Sequence, residues 1–344
     1  MVMFLVIAGV LWGIGWALKT PFPLRLTMIG VLYLAVLLAV SILPAEAPLR
    51  QTLGGGFKEW AVFGGVVVLI FAYRFALKAL KKRATKDENQ NLQSSPAFRD
   101  AELERYSRHI ILREIGGQGQ RKLKDARVLV IGAGGLGAPV LQYLAASGVG
   151  TIGVIDDDVV DASNLQRQVI HTDQSQDMPK VFSAQKAMQT QNPFVEVRPY
   201  NRRFDEGSTS LINDYDLVID GSDNFETRTL VNATCVAAGI PLLSAAITQW
   251  EGQVSLYHPA QNTPCYHCVF PHKPKADLTT TCAEAGVAAP LPGILGTLLA
   301  MEAIKHITGA GQGLGGRMMI YDALYAETRM INIKKNADCP ICGT

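Results

Sequence analysis

The chain has 344 residues, 48% of them hydrophobic, and a formal net charge of +2. That length suits about two domains, and so small a net charge gives no reason to expect a nucleic-acid partner. Six cysteines are present, none before Cys235, and four of them form two Cys-x-x-Cys pairs, which in a reducing compartment favours metal over disulfide.

In chain order, Met1 to Leu18 and Leu26 to Ala45 contain no charged side chain, and each approaches the ~20 residues that cross a bilayer core. A third apolar run, Trp60 to Leu80, is interrupted by Arg74 and Lys78, which would have to snorkel towards headgroups. A cleaved signal peptide is the alternative for the first run. It wants a basic start and a small-residue cleavage site, whereas here no Lys or Arg precedes the run and a second apolar run follows at once. With three spans, Lys19 and Arg25 fall on the same side as Lys78, Lys81, Lys82 and Arg83, and the other loop carries only Arg50 and Lys58. The excess of positive charge sets that side as cytoplasmic. The expectation is a membrane segment over residues 1–80 with two to three transmembrane helices in the inner membrane, and the rest of the chain in the cytoplasm.

The polar run "KKRATKDENQNLQSSP", residues 81–96, reads as a linker. Residues 97–344 then form a domain long enough to bury its own core. Helical signals cover Asp100 to Ile111 and Gln118 to Asp125. Strands are expected at Val128 to Ile131, Ile152 to Ile155, Val195 to Tyr200, Leu217 to Ile219 and Pro241 to Ser244, with helices at Leu136 to Ala146, Pro179 to Gln189 and Asn224 to Ala238. Such alternation predicts an α/β fold, Rossmann-like, with a mainly parallel sheet and helices on both faces. Beyond Gln249, "QVSLYH" and "RMMIYDAL" read as strands and Ile294 to Ile307 as an apolar helix closed by Gly309. They predict a smaller antiparallel extension carrying the cysteine pairs, over about residues 250–344.

The stretch "RVLVIGAGGLG", Arg127 to Gly137, carries the chemistry. A strand runs into glycines and a helix follows, with acids about 20 residues on, at Asp156 to Asp158. Glycines let backbone amides approach a phosphate, and a helix amino end favours its charge. At the end of the second strand, Asp156 could accept both ribose hydroxyls, which serves NAD and ATP equally well. "NLQRQ" then supplies Asn164 and Arg167 three residues apart, and "DMPK" places Lys180 at a helix start with Asp177 as a candidate cap. That much cation suits a triphosphate better than hydride transfer. In "IDGSDNFETR", Asp223 would stand at the carboxyl edge of the sheet and could hold Mg2+, or could merely cap the following helix. Cys265 and Cys268 with Cys339 and Cys342 offer four thiolates for a closed, structural zinc site, with His267 a bystander. Cys282, among threonines and small residues, reads either as an accessible loop thiol or as a small buried residue, and Cys235 fits the buried description.

Together, "RYSRHIILREIGGQGQRKLKDARVLVIGAGGLG", "DDDVVDASNLQRQVIH", "SDNFETR", "CYHC", "TTTCAEAGV" and "CPIC" resemble the ThiF/MoeB/HesA adenylyltransferases, bacterial relatives of ubiquitin-activating enzymes. The resemblance covers roughly Glu102 to Cys342 and leaves the first hundred residues unexplained. It implies ATP contacts from Gly135, Asp156, Asn164, Arg167 and Lys180, within a wider nucleotide-binding set of Gly132, Gly134, Gly137, Asp158, Ser163, Leu165, Gln166, Asp223 and Asn224. It makes Asp223 the Mg2+ acid and the paired cysteines the Zn2+ ligands. Arg108 is implied to reach the phosphates bound by a partner subunit, hence a homodimer, and Cys282 occupies the family's thiol position. The implied reaction is adenylation of the C-terminal glycine carboxylate of a small ubiquitin-like sulfur carrier ending in Gly-Gly, in cofactor biosynthesis of the molybdopterin or thiamine type. The sequence ends two residues after Cys342, so a separate sulfur donor protein is expected. A nicotinamide-dependent oxidoreductase and a non-catalytic membrane scaffold of the same fold are the alternatives.

Overall fold

The computed structural model describes residues 2–44, 46–90, 98–273 and 286–343. The chain divides into two compact units, Met1–Pro96 and Ala97–Thr344.

The first unit is helical: α1 (Val2–Ala17), α2 (Phe22–Ile42), the short α3 (Pro48–Leu53) and α4 (Phe57–Gln90). Its interior is aromatic. Phe4, Val36, Val40, Leu53 and Trp60 are buried, and the rings of Phe4 and Trp60 meet edge-on with centroids 5.3 Å apart. Tyr33 Oη donates to the Trp60 carbonyl at 2.5 Å, and Trp60 Nε1 donates to the Gly54 carbonyl at 2.9 Å. Around this cluster the outside is also apolar. Val31, Leu34, Leu38 and Ile42 of α2 are each more than 60% exposed, and their spacing lines one helix face.

Among the described residues, one helical segment, Leu24–Ile42, is long and apolar enough to cross a membrane, with 19 residues and a mean hydropathy of 2.1. Of the two to three spans expected, this is the one that the described residues show by length and composition. At 16 residues α1 is short, because 1.5 Å per residue gives it only about 24 Å against a core of about 30 Å. The polar run read as a linker begins in helix. Its first part, to Gln90, continues α4, which is 34 residues long. Lys, Arg, Ala, Glu and Gln are good helix formers, and no Gly or Pro stands there to stop the helix. Residues 91–97 lie outside the described part.

The second unit holds an eight-stranded sheet of β1 (Arg127–Ile131), β2 (Thr151–Ile155), β3 (Glu196–Tyr200), β4 (Leu217–Asp220), β5 (Leu242–Ile247), β6 (Glu251–Tyr257), β7 (Arg317–Asp322) and β8 (Glu327–Asn332). Its order is β3-β2-β1-β4-β5-β6-β7-β8. The first five strands are parallel, and β6, β7 and β8 each pair antiparallel with the strand before. Strand β8 was not expected from the sequence. All six of its residues are exposed, and Glu327 and Arg329 interrupt the apolar signal.

Alternate residues of the central strands feed two cores. Val128, Val130, Ile152, Val154, Leu217 and Ile219 pack on the side of α7 (Gly137–Ser147), α8 (Lys180–Gln191) and α11 (Pro290–Thr308). Leu129, Ile131, Ile155 and Val218 pack on the side of α9 (Phe225–Ala238). A parallel strand covered by helices on both faces is apolar at every position, as "VLVI" is. Ahead of the sheet lie α5 (Asp100–Ile111) and α6 (Gly116–Asp125), joined by the Lys124–Glu102 ion pair at 2.7 Å.

Candidate active site

Register builds the site. Ile131 pairs with Ile155 on one side and with Asp220 on the other, so the next residues, Gly132, Asp156 and Gly221, emerge level at the carboxyl edge. This is where the strand order reverses, the usual ligand crevice of such sheets. Gly132 has φ +91, and a Cβ there would lie 3.1 Å from the Gly221 carbonyl oxygen. A Cβ on Gly137 would come within 1.8 Å of the Gly132 oxygen. Neither position tolerates a side chain. Among the described residues, none accepts from the Gly134 or Gly135 amide, and these two sit ahead of the amino end of α7, where an anion is favoured.

Asp156 braces this loop. Its Oδ2 accepts from the Ala133 amide at 2.7 Å and its Oδ1 from the Asp158 amide at 2.9 Å. Burial raises its pKa, against the lowering by the Lys180 charge and the two amides. Each oxygen keeps a lone pair for a ribose hydroxyl, so the carboxylate orders the loop as well as facing the crevice.

Lys180 is the first residue of α8 and only 4% exposed. Its Nζ donates to Asp158 Oδ2 at 2.7 Å, and its amide donates to the Asp158 carbonyl at 2.9 Å. Pro179, not Asp177, is the cap residue. Asp177 instead takes the left-handed φ +64 and donates its amide to the Val160 carbonyl. Arg167 donates from Nη2 to Asn164 Oδ1 at 2.7 Å and from Nη1 to the Ser163 carbonyl at 3.2 Å. Its Cγ lies 3.8 Å from where a Gly135 Cβ would stand. Ser163 binds Asp161 through both its amide and hydroxyl. Leu165 is half-buried in the same turn, and Gln166 is exposed.

Across the crevice, Asp223 is exposed on the loop after β4. The alternative role as a helix cap falls to its neighbour. Asn224 Oδ1 accepts from the Thr227 amide at 2.8 Å, which leaves Asp223 free of the capping role. The loop is set by a buried pair that sequence reasoning missed. Asp220, 1% exposed, faces Arg228, 7% exposed, at 3.8 Å. Asp220 Oδ1 accepts from the Ser222 amide at 2.9 Å, and Arg228 donates to the Ser222 carbonyl and to Ser244 Oγ. An acid closing the apolar run "LVID" and an Arg in the next helix were the only signals. His171 and Gln168 were missed too, since a single His or Gln reads as ordinary.

The four paired cysteines converge. Sγ atoms of Cys265 and Cys268 are 3.8 Å apart, Cys265 and Cys339 3.7 Å, and Cys268 and Cys342 3.4 Å. Four thiolates at the zinc–sulfur distance of about 2.3 Å would have edges of about 3.8 Å, so the donor set fits a closed Zn2+ site. His267 lies outside the group. Burial raises the Cys339 thiol, but the amides of Cys342 and Ile341 outweigh it and bring it down to about 7. Asn232 of α9 accepts from the Tyr266 amide at 2.8 Å and ties α10 (Tyr266–Val269) to that helix.

Two expected residues stand apart. Arg108 is exposed in the last turn of α5, without a bond to the nucleotide group. Cys282 lies outside the described residues. Cys235 is buried and its thiol is pushed up by burial, as an inert core residue should be.

The glycine loop, the buried Lys180, the half-buried Arg167 and the exposed Asp223 lie at one sheet edge. Residues 106–341 match the ThiF family, and the chain belongs to it. It is an adenylyltransferase of the ubiquitin-like-modifier-activating type. It is 47% identical over 247 residues to the sulfur carrier protein adenylyltransferase of Thermus thermophilus, covering 70% of this chain and 91% of that one. It is 45% identical over 245 residues to the molybdopterin-synthase adenylyltransferase of Salmonella typhimurium, covering 71% and 98%. Among solved structures, E. coli MccB with ATP shares the fold at a TM-score of 0.62 and 24% identity, over 70% of this chain and 75% of that one. The nicotinamide reading that the glycines alone allowed has no support among these relatives.

Proposed function

We propose that the protein adenylates the C-terminal glycine carboxylate of a small ubiquitin-like sulfur carrier ending in Gly-Gly. The observation that carries this reading is the meeting of Gly134, Gly135, Arg167, Lys180 and Asp223 at one sheet edge, in a chain whose relatives include a sulfur carrier protein adenylyltransferase. The carrier carboxylate attacks the α-phosphorus of ATP. The bond from that phosphorus to the β-bridging oxygen breaks, pyrophosphate leaves with the electron pair, and the carrier is left as an acyl-adenylate. No enzyme nucleophile is needed, so positioning and charge neutralisation carry the step.

In this reading Lys180 and Arg167 offset phosphate charge, the glycine-loop amides orient the nucleotide, and Asp156 takes the ribose. Asp223 would hold Mg2+, which supplies charge neutralisation on the phosphate oxygens when bound. Arg108 serves the site of a second copy in a homodimer, and Cys282 relays sulfur after adenylation. The pathway is of molybdopterin or thiamine type, with a separate protein donating sulfur. The helical unit tethers the enzyme to the cytoplasmic face of the inner membrane, with α2 as the span that its length and composition support.

Pyrophosphate exchange into ATP, measured with candidate carriers, tests this. Exchange that depends on a carrier with an intact Gly-Gly end is expected, and the carrier that supports it names the pathway. ATP binding without exchange by any carrier would turn the reading towards a non-catalytic scaffold. Cys282→Ser is expected to spare exchange and impair sulfur transfer.

A further inference from the structure

The turn that follows Asn164 lies across the glycine loop, one side chain to each residue. Arg167 covers Gly135, and Gln168 Nε2 stands 3.6 Å from the position of a Gly134 Cβ. His171 Nε2 lies 2.9 Å from the Ala133 carbonyl oxygen. At its other nitrogen, His171 Nδ1 lies 2.9 Å from Ser183 Oγ, on α8. Ser183 is three residues after Lys180, on the same helix face.

The hydrogen-bonding chemistry fixes the tautomer. A carbonyl oxygen only accepts, so Nε2 carries the proton. In a neutral ring Nδ1 then has a lone pair, and Ser183 donates to it. The Ala133 peptide unit is thus held at both ends, its N–H by Asp156 and its carbonyl by His171. The imidazole also connects the loop that faces the phosphates with the helix that carries Lys180. The ring is 6% exposed. Gln168, 5% exposed, keeps a buried Oε1 with no partner among the described residues, as expected of a side chain at the rim of a ligand site.

We infer that His171 is a positioning residue for the nucleotide: its neutral ring sets the glycine loop and Lys180 at the spacing that a triphosphate requires. This rests on the adenylation reading above. Protonation would remove the acceptor at Nδ1 and add a charge beside Lys180. The other charges around the ring's neighbours are Arg167 on its own turn and the carboxylates of Asp156 and Asp158 after β2. Burial, helped by Lys180, holds the ring's pKa below its ordinary value despite the Ala133 carbonyl, so the neutral form prevails near neutrality.

The test compares the full-length chain in mild detergent with H171A, H171Q and S183A. ATP binding is measured by titration calorimetry without any carrier, and exchange kinetics with one. His171→Ala is expected to weaken ATP binding about tenfold and to raise KM for ATP similarly, with kcat changing less than about threefold. His171→Gln places an amide donor towards Ala133 and should recover most of the loss, while Ser183→Ala should lose about threefold. Lowering the pH from about 7.5 to about 5.5 should weaken ATP binding more in the wild type than in H171Q. A folded H171A that binds ATP as the wild type does, an H171Q no better than H171A, or a loss confined to kcat would overturn the inference. A wild type that binds no ATP would take down the adenylation reading itself, and this inference with it.

Discussion

The two units of this chain treat apolar residues in opposite ways. In the helical unit, aromatic rings fill a small interior and aliphatic side chains such as Leu34 and Leu38 face outward. In the α/β unit the aliphatic residues of β1, β2 and β4 are all inside, and the crevice edge is polar and charged. The first unit therefore hides the groups that pack and shows those that suit lipid; the second hides apolar surface from water. Stability in one rests on ring packing and in the other on sheet burial plus one buried ion pair.

Substitutions should separate the two. Trp60→Ala is expected to cost the helical unit about 3–5 kcal/mol, and Arg228→Met to cost the α/β unit about 3–5 kcal/mol by leaving Asp220 unpaired. Calorimetric unfolding of the full chain should show each change moving one transition only. Movement of both by either change would mean that the units unfold together. Lys180→Met acts only on the second unit's chemistry and should lower pyrophosphate exchange by about 100- to 1000-fold, with both transitions near wild type.

A smaller effect comes from His171. Its pKa is lowered in the fold from an ordinary 6.5, so below that pH the unfolded chain binds more protons than the folded one. The stability gained from the neutral ring is complete above the ordinary value and is lost as pH falls below it. Denaturant unfolding at several pH values should show that slope for the α/β transition, and H171Q should flatten it. Smallest of all, deleting Met1 to Lys82 should leave exchange within about twofold of the full chain. A truncated enzyme that folds but does not turn over would mean that the helical unit does more than the tethering proposed for it.

Much of the α/β unit was legible because fully buried parallel strands and glycine turns leave strong local signals. "VLVI" before "GAGGLG" has few other readings, and "DMPK" placed Lys180 at its helix start within a residue. What was not legible depends on pairing across space. Asp220 and Arg228 look like any acid and any base in a charged stretch, and only the level ends of β1 and β4 reveal that they hold the Asp223 loop. Residue type could not tell whether Asp223 caps α9 or faces the crevice, since Asp caps well and Asn224, beside it, takes that role. His171 carries no spacing signature at all. In the helical unit, the polarity of residues 81–90 gave no sign that helix propensity continues α4 through them.

Among the described residues, no strand pairs with the outer edge of β8. Strand β8 shows all six residues to solvent, Met330 and Ile331 among them. Such a row of free backbone donors and acceptors can recruit a foreign strand, and proteins guard against this with charge. Here the guard is the pair Arg329 and Glu327, 2.8 Å apart. Neutralising both would convert a harmless border into a seed for stacking one molecule on the next, long before the fold itself was at risk.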